Sequence, residues 1–198
     1  MKFKKYFHLG KIIFKYPKNK LKKLLMEESE SEEEIELEIE KYTVIKEREI
    51  LFQIKPKQAK KIKYLRIENQ IIDNGASGIL LFLENIEAIF FINCNLDEEI
   101  YLLSMFPSVT KIGFIKCELT SERLYELLCA LNPYEETKLL DLSKNKLGEN
   151  PKRFIEVLGH LFSLKYVGTL ILLDNGFDEN STSEIKKICE KNIEKLII

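Results

Sequence analysis

Eleven side chains near the start of this 198-residue chain have the types and spacing to bind nucleic acid. Lys2, Lys4, Lys5, Lys11, Lys15, Lys18, Lys20, Lys22 and Lys23 fall within residues 1–24, which hold no acidic residue, and Tyr6 and Phe7 lie among them. Phe3, Phe14 and Tyr16 add further rings. Lysine ammonium groups neutralise phosphates and release condensed counterions, while aromatic rings stack on unpaired bases. Such an arm suits an RNA-rich assembly such as a ribosome. The segment holds no arginine, the better bidentate phosphate ligand. Three other uses stay open: a solvated tail, an anionic membrane surface that takes up the Phe and Ile side chains, or folding back on the acidic run that follows.

Catalytic chemistry has little to work with. The two histidines, His8 in the basic arm and His160 in a helical pattern, are far apart, and no histidine–carboxylate or cysteine–histidine grouping accompanies either. Cys94, Cys117, Cys129 and Cys189 form no C-x-x-C pair, and no metal-ligand spacing is present. Reduced, structural cysteines are expected, in a cytoplasmic setting. Gly75-Ala76-Ser77-Gly78 lacks the strand–loop–helix context of a phosphate loop and serves better as a turn. No enzyme activity, metal or cofactor is expected. No apolar run reaches the roughly 18 residues that span a bilayer, and Lys11 and Lys15 interrupt any signal-peptide core.

The formal net charge of −1 conceals a segregation. Residues 25–40 carry Glu27, Glu28, Glu30, Glu32, Glu33, Glu34, Glu36, Glu38 and Glu40 with no base. Up to Glu34 the run reads as a solvated face. From Glu34 to Glu40 glutamates alternate with Ile35, Leu37 and Ile39, and Ile50, Leu51, Phe52 and Ile54 follow. Period-two alternation suits strands. Residues 34–54 are therefore expected to form an N-terminal cap of strands, arranged as a hairpin in one version. The resulting division is a charged arm over 1–33 (basic 1–24, acidic 25–33), a cap over 34–61 and a repeat domain over 62–198.

Beyond residue 61 one spacing returns five times: apolar, apolar at +3, apolar at +5, a polar or thiol residue at +8 and apolar at +10. The units are Ile62-Leu65-Ile67-Gln70-Ile72, Ile86-Ile89-Phe91-Cys94-Leu96, Val109-Ile112-Phe114-Cys117-Leu119, Thr137-Leu140-Leu142-Asn145-Leu147 and Val167-Leu170-Leu172-Asn175-Phe177. A sixth, Ile193-Leu196-Ile198, begins at the end of the sequence. Between the +8 marks the periods are 24, 23, 28 and 30 residues. The two inner apolar positions are two apart, as a short strand requires, and helical spacing follows. Leu124, Leu127, Leu128 and Leu131 form one such stripe, Phe154, Leu158 and Leu161 a second, and Ile185, Ile188 and Cys189 a third. Thr120 and Ser121, Asn150 before Pro151, and Asn180-Ser181-Thr182-Ser183 stand as helix starts.

The spacing resembles the leucine-rich repeat, L-x-x-L-x-L-x-x-N/C-x-L, and the two longer units resemble its ribonuclease-inhibitor-like subclass. The resemblance implies an α/β solenoid, with a short curved parallel sheet on the concave side and helices on the convex side. It also implies a protein-binding role. In that register Phe90, Ile92, Ile115, Leu139, Ile171 and Leu173 point away from the core onto the concave face. An apolar patch of that size marks a protein-docking surface. The unfinished sixth unit would leave an open parallel edge available to a partner strand. The combined expectation is a non-enzymatic scaffold, docked on RNA through its arm and on protein through its concave face. A pure protein adaptor or inhibitor of ribonuclease-inhibitor type, and a membrane-surface adaptor, are the alternatives.

Overall fold

In the computed structural model the described residues are 43–46, 59–72, 83, 85–96, 109–130, 136–164 and 166–198. Seven short strands build one parallel sheet: β1 (Thr43–Ile45), β2 (Tyr64–Glu68), β4 (Ala88–Ile92), β6 (Lys111–Ile115), β7 (Thr137–Asp141), β8 (Val167–Ile171) and β9 (Ile193–Ile197). They are hydrogen-bonded in sequence order. Just beyond β2 and β4, the two-residue strands β3 (Ile71–Ile72) and β5 (Asn95–Leu96) pair parallel as a small second sheet. Three helices pass between the later strands: α1 (Ser121–Ala130), α2 (Pro151–Leu164) and α3 (Glu179–Cys189). The described part of the protein is thus α/β with a parallel sheet.

Register follows the sequence spacing residue by residue. Leu65 lies opposite Ile89, Ile89 opposite Ile112, Ile112 opposite Leu140, Leu140 opposite Leu170, and Leu170 opposite Leu196. Because alternate strand residues face opposite sides, this aligns all +3 and +5 positions on one face. There Leu65, Ile67, Ile89, Phe91, Ile112, Phe114, Leu140, Leu142, Leu170 and Leu172 are buried in one core. Phe91 and Phe114 stack across adjacent units with ring centroids 5.5 Å apart. Thr137, the one polar residue in the leading apolar column, is buried as well.

The helices close this core with the stripes their spacing indicates. Leu124, Leu127 and Leu128 of α1, Phe154, Leu158 and Leu161 of α2, and Ile185 and Cys189 of α3 are buried. Leu131 lies outside the described residues, as does Gly75–Gly78. Thr120 Oγ1 accepts from the Arg123 N–H at 3.3 Å and Asn150 Oδ1 from the Arg153 N–H at 3.3 Å, each supplying an acceptor to a helix start. At α3 the start differs from expectation. Its cap is Asp178, whose carboxylate accepts from the Ser181 N–H at 2.7 Å, so the 180–183 cluster lies inside the helix and Ser181 is buried. The two hydrogen bonds from Ser181 and its backbone hold the Asp178 carboxyl below its ordinary pKa. His160 packs its ring 5.1 Å from Tyr125, in a helix-to-helix contact.

The expected N-terminal cap is seen in part. Of the cap region, residues 43–46 and 59–61 are described, and β1 runs parallel to β2. Thr43, Val44 and Ile45 lie opposite Leu65, Arg66 and Ile67, and Ile45 is fully buried in the common core. Covering the apolar end of β2 with a strand in the same register continues the sheet by one unit. Residues 34–42 and 47–58 lie outside the described part.

Candidate binding surface

Two rows of side chains dominate the functional geometry, one buried at the strand ends and one spread over the outer face. The first row consists of the five +8 residues, of which Cys94, Cys117, Asn145 and Asn175 are buried and Gln70 is half-buried. Gln70 Nε2 donates to the carbonyls of Lys46 and Glu68 at 2.7 and 3.0 Å. Cys94 Sγ donates to those of Ile67 and Ile92, and Cys117 Sγ to those of Phe91 and Ile115, at 3.4–3.5 Å. Asn145 Nδ2 donates to Phe114, Leu142 and Ser143, and Asn175 Nδ2 to Leu142, Leu172 and Leu173. Each side chain therefore ties its own strand to the preceding one. The amide oxygens do more than thiols can: Asn145 Oδ1 accepts from the N–H of Cys117 and Leu119, and Asn175 Oδ1 from that of Asn145. Groups that would be orphaned inside the turns are thereby satisfied.

The residue before each of these bends the chain into the left-handed region: Asn69, Asn93, Lys116, Lys144 and Asp174 have φ between 53° and 61°. The turn aims the N–H of residues 69, 93, 116 and 144 at a carbonyl at the end of the next strand, at 2.7–3.0 Å. Asn and Asp tolerate this conformation best, and they fill three of the five places. Asn93 Nδ2 also donates to Asn69 Oδ1 at 2.7 Å, forming an exposed rung outside the buried row.

Burial governs the thiols. Removal from water pushes Cys117 up to about 12 and Cys189 to about 11, and raises Cys94 in the same direction. At pH 8 the Cys117 thiolate is then scarcer by about a thousandfold than in a thiol of ordinary pKa. Iodoacetamide at pH 8 is expected to leave Cys94, Cys117 and Cys189 unmodified in the folded protein, by peptide mass mapping, and to alkylate all three in denaturant. Rapid native labelling of Cys94 or Cys117 would contradict their place in the buried row.

The outer face of the sheet is set by the same registers. Val44, Arg66, Phe90, Gly113, Asp141, Ile171 and Ile197 run across its middle. Nearer the strand starts lie Tyr64, Ala88, Lys111, Leu139, Thr169 and Lys195. Glu68, Ile92 and Ile115 align nearer the ends, and Ser143 and Leu173 follow β7 and β8.

All six proposed protein-docking residues occupy this face, but they do not share one environment. Ile92, Leu139, Ile171 and Leu173 are half-buried. Phe90 and Ile115 are buried, at 1% and 9% exposure, although neither belongs to the main core. Their expected exposure is therefore corrected. Gly113 gives part of the reason. A Cβ at that position would overlap the Phe90 ring, so the ring lies over the neighbouring strand where a side chain is missing. A glycine at an outward strand position was the sequence signal for this close approach. Asp141 and Ser143 are buried beside it, with the Asp141 carboxylate accepting from both the Ser143 hydroxyl and its N–H.

Toward β1 the face is ionic. Glu68 lies within ion-pair distance of both Arg66 Nε and Lys46 Nζ, although Arg66 Nε is not aligned for a hydrogen bond. Toward β9 it is apolar and partly open. The nucleic-acid candidates Lys2, Lys4, Lys5, Tyr6, Phe7, Lys11, Lys15, Lys18, Lys20, Lys22 and Lys23 lie outside the described residues. Among the described residues no grouping of His, Cys, Asp and Glu could hold a metal ion, and no helix is long and apolar enough to cross a membrane. No protein-family model and no curated protein matches the chain.

Proposed function

We propose that this chain is a non-enzymatic binding scaffold of leucine-rich-repeat type, whose outer sheet face docks a protein and whose basic arm contacts RNA. The observation that carries the reading is the pairing of a buried +8 row with a partly open apolar face. The row spends its side chains on fixing turns, and on the outer face at β7 and β8 several aliphatic side chains stay outside the main core. There Leu139, Ile171 and Leu173 keep exposure that a core would remove. Aliphatic side chains held on parallel strands form a rigid surface, and rigid apolar anchors supply most of the free energy of protein association. The solenoid reading rests on the repeated register and on the left-handed turn before each +8 residue.

The RNA part of the proposal rests on nine lysines and interleaved rings within residues 1–24. Binding by such an arm falls steeply with salt, because each neutralised phosphate releases counterion. Full-length protein is expected to co-sediment with ribosomes or structured RNA at about 50 mM salt and to lose most of that binding by about 200 mM. Deleting residues 1–24 is expected to abolish it at both concentrations while leaving the circular dichroism of the sheet domain unchanged. Salt-independent binding, or binding that survives the deletion, would overturn the RNA assignment. Retention on anionic vesicles alone would favour a membrane-surface adaptor.

A further inference from the structure

We infer that Asn175 and Gly176 form a deamidation site that the +8 row keeps shut in the folded chain, and that reaction there in the unfolded chain locks it out of the fold. The pair belongs to the triplet Asp174-Asn175-Gly176. An asparagine followed by glycine is especially prone to lose its side-chain ammonia, because no side chain shields the glycine nitrogen and its backbone turns freely. In the reaction the Gly176 nitrogen gives up its proton and bonds to Asn175 Cγ. The Cγ–Nδ2 bond breaks, ammonia leaves with a proton regained, and a succinimide ring remains. Water then opens the ring at either carbonyl, giving aspartate or isoaspartate.

The fold opposes the first step. Asn175 is 5% exposed, and Nδ2 donates to the carbonyls of Leu142, Leu172 and Leu173 at 3.0, 2.8 and 3.4 Å. Its Oδ1 accepts from the Asn145 N–H at 3.1 Å. All of these partners precede Asn175 in the chain, whereas the attacking nitrogen follows it. Cyclisation must therefore break the row before the ring can close. The backbone is fixed as well. The Asn175 carbonyl accepts from the Gly148 N–H at 3.0 Å, and a Cβ on Gly148 would lie 2.5 Å from the Gly176 carbonyl carbon. Gly176 sits in the left-handed region, with φ 78°. Asn145 shares the row but is followed by Lys146, whose side chain slows attack, so Asn175 is the reactive member.

The product does not fit the place. Aspartate lacks the Nδ2 donor and sets a carboxylate against the carbonyls of Leu142 and Leu172, which lose their partner. Isoaspartate adds a carbon to the main chain and shifts the turn that follows β8. A chain that reacts while unfolded therefore refolds poorly, which makes its unfolding irreversible with time. Unfolded chain is about a thousandth or less of a stable domain, so the folded state slows the reaction by a similar factor, less where the turn opens locally.

The sequence supplies its own reference, since Asp73-Asn74-Gly75 repeats the triplet at a place outside the described residues. Full-length protein is incubated at mildly alkaline pH in buffer and in guanidinium chloride, and conversion at both asparagines is followed by peptide mass mapping. In denaturant the two are expected to react at rates within about threefold of each other. In buffer Asn175 is expected to react at least about a hundredfold more slowly than in denaturant. After dilution from denaturant, chains that fail to refold should be enriched in converted Asn175. Asn175→Asp should unfold at a lower urea midpoint than the wild type. Failure of Asn175 to react in denaturant while Asn74 converts overturns the site itself. A native rate within about a hundredfold of the denatured rate shows that the row does not shut it. Wild-type stability of Asn175→Asp, or equal conversion in refolded and unrefolded chains, overturns the lock-out.

Discussion

Replacing Asn145 with alanine is expected to destabilise the folded chain by about 3–5 kcal/mol, more than any other substitution in the buried polar row. The side chain is 7% exposed and its oxygen accepts from two backbone N–H groups, those of Cys117 and Leu119, at 2.9 and 3.1 Å. Its Nδ2 donates to three carbonyls at 2.6–3.2 Å. Alanine leaves both N–H groups buried without an acceptor, each costing about 1–3 kcal/mol, and adds a cavity. Against a domain stability of about 5–15 kcal/mol, such a loss moves the urea midpoint by more than about 1 M. Asn175→Ala should cost less, since its oxygen serves the single N–H of Asn145. Cys94→Ala should cost least, because a thiol gives up two weak donations and strands no N–H. Equilibrium urea unfolding of the three variants checks the order. An Asn145→Ala effect no larger than that of Cys94→Ala would mean that the turns are satisfied another way.

The second large effect is expected on the outer face, where Phe90 and Gly113 should behave as one packing unit. Gly113→Ala places a methyl group inside the Phe90 ring, and the displaced ring must leave a site where it is 1% exposed. A cost of about 2–3 kcal/mol follows from overpacking. Phe90→Ala alone should cost about 3–5 kcal/mol. In the Phe90→Ala background the added methyl meets no ring, so the Gly113→Ala step should become nearly neutral. The double-mutant cycle is then expected to show a coupling of about 1–3 kcal/mol. Simple additivity would show that the ring does not lie over Gly113. Phe90→Asp should unfold or strongly destabilise the protein, because it buries a carboxylate two strands from buried Asp141. Ile171→Asp, at a half-buried site, should be tolerated.

The contrast between Phe90 and Ile171 marks where sequence reading stops. Period-two alternation assigns both to the same face, and the strand registers agree. Alternation reports direction, whereas exposure depends on what neighbouring strands carry, and Gly113 changes that for Phe90 alone. The inner columns were legible because every unit repeats them: Leu65, Ile89, Ile112, Leu140 and Leu170 fall into one aligned column. β1 falls among the strands expected over 34–54, but its register was not legible, because the spacing around it breaks down. Ile45 fits the +5 place, but Glu40 and Arg48 occupy the leading apolar and +8 places. Its inclusion in the parallel sheet comes from pairing with β2, a long-range contact that no local pattern records. The α3 start was displaced for a related reason. Asp178 and the 180–183 cluster offer competing caps, and Asp178 wins because Ser181 is buried as the helix meets the core.

Site-specific photocrosslinking in cells tests whether the open apolar part of the sheet docks a protein. A photoreactive amino acid at position 171, on the outer face, is compared with one at position 156, exposed on α2. One discrete protein adduct is expected from position 171, absent from position 156 and lost when Leu173→Asp is added. Equal adducts from the two positions, or none from position 171 in folded protein, would contradict docking there.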